Sequence, residues 1–322
     1  MDWKDDMPIC SVYIVTYNQE KYIEKAVLSV LEQETSYKYE VLVGDDASTD
    51  NTASILRELE KRFRDRITVV YNKVNSYKSD NNLFIRLRSM CRGKYIICLE
   101  GDDFWLDTSK LHTQIKFLEE HPDYLAVAHN CKIVDVNSDA LEISYPECKQ
   151  NHYSFGHWIM GVLPGQTTTL LMVNPKYKKE VDWSLMNSLI VPGDRLIYFT
   201  LLSYGPVFCI QKAMSAYRYG QPQGSSYTSS VKYDYHSWKA FYSEVVNYSY
   251  KIEKKESIKY AEFAYLLNIF RGCKKHILTI KDLFTNPYTS TGRIKLLFMV
   301  ICFVIKRDAF VIERNAIQTN EK

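Results

Sequence analysis

Four short runs of β-branched and aromatic residues alternate with amphipathic segments over the first hundred residues, and that rhythm narrows the possible folds sharply. The runs are Cys10–Thr16, Tyr39–Val43, Ile67–Tyr71 and Tyr95–Leu99. Between them, Tyr22, Ile23, Ala26, Val27, Val30 and Leu31 recur at helical spacing, as do Ile55, Leu56, Leu59 and Phe63. Strand–helix alternation of this kind predicts a mostly parallel sheet covered by helices on both faces. Ser48-Thr49-Asp50 supplies candidate N-cap residues for the second helix.

Two of these strands run directly into acid. Gly44-Asp45-Asp46-Ala47-Ser48-Thr49-Asp50 follows the second, and Glu100-Gly101-Asp102-Asp103 follows the fourth. Ligands of open α/β sheets bind in the crevice beyond the carboxyl ends of the strands. A helix cap needs one such residue, so two adjacent aspartates exceed that need. Adjacent carboxylates repel, and a hard, oxygen-seeking cation such as Mg²⁺ or Mn²⁺ offsets the cost. Carboxylates at strand ends therefore suit a divalent cation with a ligand rich in hydroxyl and phosphate groups, a sugar nucleotide above all. A third acid, Asp194, follows Gly193 and precedes the apolar run Leu196–Leu202, which reads as a helix.

Beyond Asp103 the pattern loosens. Leu111–Leu118 predicts a helix stopped by His121-Pro122, Leu125–Val136 a strand, Ser144–Gly165 a long loop, Thr168–Val173 a strand and Val207–Ile210 a short strand. Helical periodicity returns from about residue 230 and runs to the end. The aromatics between Tyr145 and Trp158 suit either an acceptor-side sugar platform or packing. His152 and His157 fall in no metal-binding pattern, and the chain contains no G-x-G.

With a formal charge of +3, the 322-residue chain as a whole does not read as a nucleic-acid binder. The charge is uneven, since residues 251–322 carry 14 Lys and Arg against 7 Asp and Glu. Eight scattered cysteines without a C-x-x-C pair, and an acidic N-terminus without an apolar core, predict a reduced, cytoplasmic protein. Leu296–Ile305 is shorter than the roughly 20 residues a spanning helix needs. Arg293, Lys295, Lys306 and Arg307 flank it, so 293–307 is either a buried terminal helix or a peripheral contact with an anionic membrane surface.

Taken in order, the motifs resemble the family 2 glycosyltransferases. Ser11–Asn18 is similar to their opening strand with its Thr-Tyr-Asn signature, and Val43–Asp50 to their Val-Asp-Asp-Gly-Ser-Thr-Asp loop. Gly93-Lys94-Tyr95-Ile96 leading to Leu99–Asp103 is similar to their Gly-Lys-Tyr-Ile … Leu-Asp-x-Asp-Asp strand. Gly193-Asp194 resembles the Glu-Asp opening their catalytic helix, and Ala216-Tyr217-Arg218 the Tyr-Arg that follows. The resemblance spans residues 8 to about 220.

It implies a GT-A-type α/β domain over 1–225, with a nucleotide half to about 110 and an acceptor half over 111–225, then a basic helical extension over 226–322. It implies inverting transfer of a sugar from a nucleotide donor, most simply UDP-linked, to a hydroxyl of a glycan or lipid-linked oligosaccharide. Thr16, Tyr17 and Asn18 would meet the nucleoside, Asp45 the uracil ring with Asp46 beside it, and Glu100 and Asp102 the donor. Asp102 and Asp103 would hold Mn²⁺ or Mg²⁺, and Asp194 would be the base, kept ionised by its helix dipole. Glu100, Gly193 and Gly220 depart from the family's Asp, acid and His at those places. Two alternatives remain at this point: a transferase loading polyprenyl phosphate, and a catalytically silent binding subunit. Turnover of nucleotide sugars by the pure protein separates them.

Overall fold

The computed structural model describes residues 7–77, 79, 82–142, 148–188, 192–219 and 234–274. The chain divides into two units, Met1–Lys232 and Tyr233–Lys322.

The first unit opens with β1 (Cys10–Thr16), α1 (Ile23–Leu31), β2 (Tyr39–Asp45), α2 (Thr52–Arg62), β3 (Ile67–Tyr71), α3 (Leu83–Met90) and β4 (Tyr95–Glu100). β1 and β4 are apolar along nearly their whole length because both faces of a parallel sheet are covered. α1 buries Ile23, Ala26, Val27, Val30 and Leu31, the stripe its spacing predicts. β1 pairs in parallel with β2 on one side and β4 on the other, and β3 continues beyond β2. The sheet therefore has a topological switch at β1, where a crevice must open at the carboxyl ends.

Then follow β5 (Phe104–Trp105), α4 (Lys110–Glu120), β6 (Ala126–Val134), β7 (His152–Tyr153), α5 (Phe155–Met160), β8 (Leu171–Val173), α6 (Gly193–Tyr204) and β9 (Val207–Arg218). β8 runs antiparallel between β4 and β6, β9 pairs in parallel with β6, and β5 and β7 run antiparallel to β9. The described residues thus form one nine-stranded mixed sheet.

Several local expectations change. α2 begins after Asn51, and Ser48 does not cap it: the Ser48 hydroxyl accepts instead from the Asn18 backbone N–H across the crevice (2.9 Å). Asp50 Oδ1 does accept from Thr52 N–H (3.0 Å). α3, which periodicity alone did not reveal, is capped by Asn82, whose Oδ1 accepts from Ile85 N–H (3.0 Å). The supposed loop 144–165 contains β7 and α5, with residues 143–147 outside the description. α5 is closed by Ser154 and His157 in a capping box and by Gly161 at φ 76°. Thr167–Thr169 is a 3₁₀ turn rather than strand. β9 reaches twelve residues because irregular pairing around His129–Cys131 lets its polar centre, Gln211 and Lys212, be accommodated without ending the strand.

The second unit is described as α7 (Tyr235–Lys251) and α8 (Lys255–Lys274), packed on each other. Asp234 caps α7 through Ser237 N–H (2.7 Å), and Tyr250 donates to Glu262 Oε1 (2.5 Å) across the pair. Among the described residues no helix is long and apolar enough to cross a membrane. The segment 293–307, Gly220 and Tyr145 lie outside the described residues.

Candidate active site

The crevice forms where β1, β2 and β4 end together. Thr16 lies beside Asp45, and Val15 beside Glu100. Asp46 N–H donates to the Thr16 carbonyl (2.9 Å) and Gly101 N–H to the Val15 carbonyl (3.0 Å), drawing both acidic loops over β1. Gly101 is required there, since a Cβ would sit 2.4 Å from Gln19 Oε1 and 2.8 Å from Thr16 Cβ. Thr16 is buried behind the loop, and its hydroxyl donates to Gln19 Oε1 (2.7 Å). Tyr17 is 39% exposed, an open ring at the mouth. Asn18 takes a left-handed backbone (φ 51°) and accepts from Thr49 N–H through Oδ1 (2.7 Å), tying the β1 turn to the β2 loop.

Gly44 and Asp45 belong to β2 rather than following it, and Asp45, the last residue of the strand, is only 3% exposed. Its Oδ1 accepts a long bond from Ser48 N–H (3.3 Å). Asp46 is far more heavily engaged. Its Oδ1 accepts from Asn72 Nδ2 (2.6 Å), the Ser76 hydroxyl (2.8 Å) and Ser76 N–H (2.9 Å), pinning the segment after β3. Arg86 Nη1 in turn donates to Asn72 Oδ1 (2.7 Å).

The second acidic loop is short of such donors. Asp103 Oδ1 accepts from Arg218 N–H (2.8 Å), and Arg218 Nε donates to the Asp102 carbonyl (2.9 Å). Arg218 also donates through Nη1 to the Asp135 carbonyl (2.6 Å) and lies 4.3 Å from the Tyr22 ring centroid. Asp102, Asp103 and Arg218 are all buried. Burial, followed by the fields of Asp102 and Asp194, pushes the Glu100 carboxyl up to about 8. Burial likewise pushes Asp102 up to about 6 against the opposing pull of its own backbone amide and Arg218. Asp103 is raised well above the carboxylate range by burial, then by Asp102 and Glu100.

Asp194 enters this group from the first turn of α6, and its field reaches Glu100. The helix dipole does not govern it alone. Burial raises its pKa, opposed by the Arg195 N–H bonded to Oδ1 (2.8 Å) and by the Arg195 charge. A Cβ at the neighbouring Gly193 would meet nothing within 4 Å, so the space of the family's second acid stays open.

The structure thus crowds Glu100, Asp102 and Asp103, with the charge of Asp194 reaching Glu100, while the side chains of Thr16 and Asn18 form hydrogen bonds within the protein. Sequence reasoning overlooked Gln19, Asn72 and Ser76. The polar cluster immediately after β3, level with the other strand ends, was the available signal for the last two.

The sequence model described as Glycosyl transferase family 2 matches residues 11–179, just over half the chain. The chain belongs to glycosyltransferase family 2. This family 2 chain is 35% identical over 208 residues to an uncharacterised protein of Mycobacterium tuberculosis, covering 65% of the chain and 58% of that relative. It therefore spans less than two thirds of that relative's length. TuaG of Bacillus subtilis, a putative teichuronic acid biosynthesis glycosyltransferase, is 38% identical over 121 residues, 37% of this chain and 44% of TuaG. S. aureus TarS in complex with UDP-GlcNAc superposes with a TM-score of 0.57 at 17% identity, covering 90% of this chain and 79% of that one. The mannosyltransferase PcManGT of Pyrobaculum calidifontis, in complex with GDP-Man and Mn²⁺, gives 0.51 at 14% identity, covering 94% and 81%. These likenesses show the fold, which is GT-A.

Proposed function

We propose that this family 2 chain is an inverting glycosyltransferase that moves a sugar from a UDP-linked donor to a hydroxyl of a glycan or lipid-linked oligosaccharide. The observation that carries the reading is the crowding of Glu100, Asp102 and Asp103 at the carboxyl end of β4, with Asp194 near enough for its charge to act on Glu100. Burial raises the pKa of all four, and like charge adds to the rise at Glu100 and Asp103. Such a group is stabilised by a cation and by donor hydroxyls. Relatedness to TuaG supports a polysaccharide role, and the likeness to TarS, solved with UDP-GlcNAc, is compatible with a UDP donor.

Among the described residues, no three His, Cys, Asp or Glu side chains form a ready metal cage. That fits an ion held by one or two carboxylates and completed by substrate phosphates and water, as Mg²⁺ characteristically is. Asp102 and Asp103 are the residues that would hold it, Asp103 through the oxygen not bonded to Arg218. The chemistry such an ion supplies is neutralisation of the charge on the departing diphosphate.

The chain's own residues account for the rest. The exposed Tyr17 ring offers a stacking face for the base, and Asp45 an acceptor for the uracil N–H. Asp46 holds the wall after β3, and Asn18 and Gln19 keep the β1 turn closed over the strand end. Asp194 accepts the proton of the acceptor hydroxyl as that oxygen attacks the anomeric carbon. A thermal-shift panel of UDP-, GDP- and dTDP-sugars with and without Mn²⁺ tests the reading, because a ligand selective for the native state raises stability. The expected outcome is a larger rise for a UDP-sugar with Mn²⁺ than for either alone. No shift with any nucleotide sugar would leave the silent binding-subunit reading in its place.

A further inference from the structure

Asp194 is held by a relay that begins in α5. The Arg195 N–H donates to Asp194 Oδ1 (2.8 Å). The carbonyl of that same Arg195 accepts from Trp158 Nε1 (2.8 Å), while Arg195 Nη2 donates back to the Trp158 carbonyl (2.7 Å). The guanidinium carbon lies 4.7 Å from the Trp158 ring centroid, and the ring packs on Phe199 of α6 at 4.9 Å. Trp158 is fully buried and Arg195 nearly so.

Filling this part of the core requires a large ring but not an indole N–H, whose burial is costly unless it finds an acceptor. Here the acceptor is a carbonyl in the first turn of α6, on the residue adjoining Asp194. The reciprocal bonds therefore grip the Arg195 residue at its carbonyl and its guanidinium, leaving its N–H to orient the Asp194 carboxylate. We propose that Trp158 and Arg195 are positioning residues for the base, a clamp from α5 that sets the Asp194 carboxylate toward the crevice. The proposal rests on the reading of Asp194 as base.

The test uses the full chain with UDP-N-acetylglucosamine and Mn²⁺ as the probe, following UDP release for wild type, Trp158→Phe, Asp194→Asn and the double variant. Trp158→Phe keeps a ring and removes the donor. The expected result is a kcat lower by about 10–100-fold, the scale of a misplaced catalytic group. KM should stay within about twofold, and Trp158→Phe should add nothing further in the Asp194→Asn background, since residues acting as a unit are non-additive. Wild-type kcat in Trp158→Phe, or an equal loss repeated in the Asp194→Asn background, overturns the clamp. If Trp158→Phe does not fold, Arg195→Lys removes the return bond while keeping the charge, and the same kinetic signature is expected.

A crystal structure of the variant gives a reading independent of turnover. The Asp194 carboxylate should leave the Arg195 N–H, and an unchanged carboxylate overturns the proposal. The two ideas fail separately. A wild-type rate in Asp194→Asn removes the base, whereas a slow Asp194→Asn beside a wild-type Trp158→Phe removes only the clamp.

Discussion

The ends of β2 and β4, which flank β1, carry nearly the same acidic pair, yet the protein treats them differently. After β2, the Asp46 carboxylate takes three hydrogen bonds from Asn72 and Ser76, and Asp45 one weak bond. After β4, Glu100, Asp102 and Asp103 crowd one another, with backbone and guanidinium contacts from Arg218 as their main internal support. A carboxylate saturated by protein donors is scaffold, whereas one pushed to hold its proton by burial and like charge is poised for a cation or a hydroxyl. Asp-Asp after a strand is thus ambiguous until the donors around it are known.

The largest effect that probes this contrast comes from the acid facing the β4 loop. Asp194→Asn should lower transfer by about 10²–10⁴-fold, the usual cost of removing a general base, with donor affinity nearly unchanged. A rate above a tenth of wild type at saturating substrates would falsify the base assignment. Next comes the β4 loop itself. Asp102→Asn should cut turnover by about 10²–10³-fold through lost transition-state electrostatics. It should leave the melting temperature level or raised, because it relieves repulsion. A fall in melting temperature would mean that this loop is scaffold too.

The β2 loop should respond in the opposite sense. Asp46→Ala strips the acceptor from Asn72 and Ser76 and should cost about 1.5–3 kcal/mol in urea unfolding. A fully stable variant with weakened UDP binding would reverse the assignment.

The smallest effect is the pH dependence of the ligand-free protein. An acid whose pKa is higher folded than unfolded binds more protons in the native state. The associated stability is fully present below the unfolded value of about 4.3 for Glu. It is lost as pH rises through about 8 for Glu100. The melting temperature should therefore decline between those limits, and Glu100→Gln should flatten the decline. An identical slope in Glu100→Gln would show that Glu100 is not the group responsible.

Much of this was legible in the chain. The apolar runs at β1, β2 and β4, alternating with amphipathic segments, fit the middle of a covered parallel sheet, and a parallel sheet sends the loops that follow its strands to one edge. The acids at 45–46 and 100–103 followed from that edge. By contrast, α5 was hidden because six residues are too few to show a period, and its capping pair Ser154 and His157 lies among aromatics that suit a loop equally well. The twelve residues of β9 were hidden because Gln211 and Lys212 break the alternation, and only irregular pairing with β6 carries the strand past them.

What the sequence determined by itself is the alternation of β1, α1, β2, α2, β3 and β4 and the edge where the acids gather. These are local matters of period, propensity and chain direction. Tertiary structure alone decided which carboxylates are satisfied and which are not. The donors that distinguish Asp46 from Asp103 come from residues 72, 76 and 218, and the indole that reaches the Asp194 turn comes from residue 158. Hydrogen bonding and burial act over a few ångströms of space, and no pattern along the chain measures that distance.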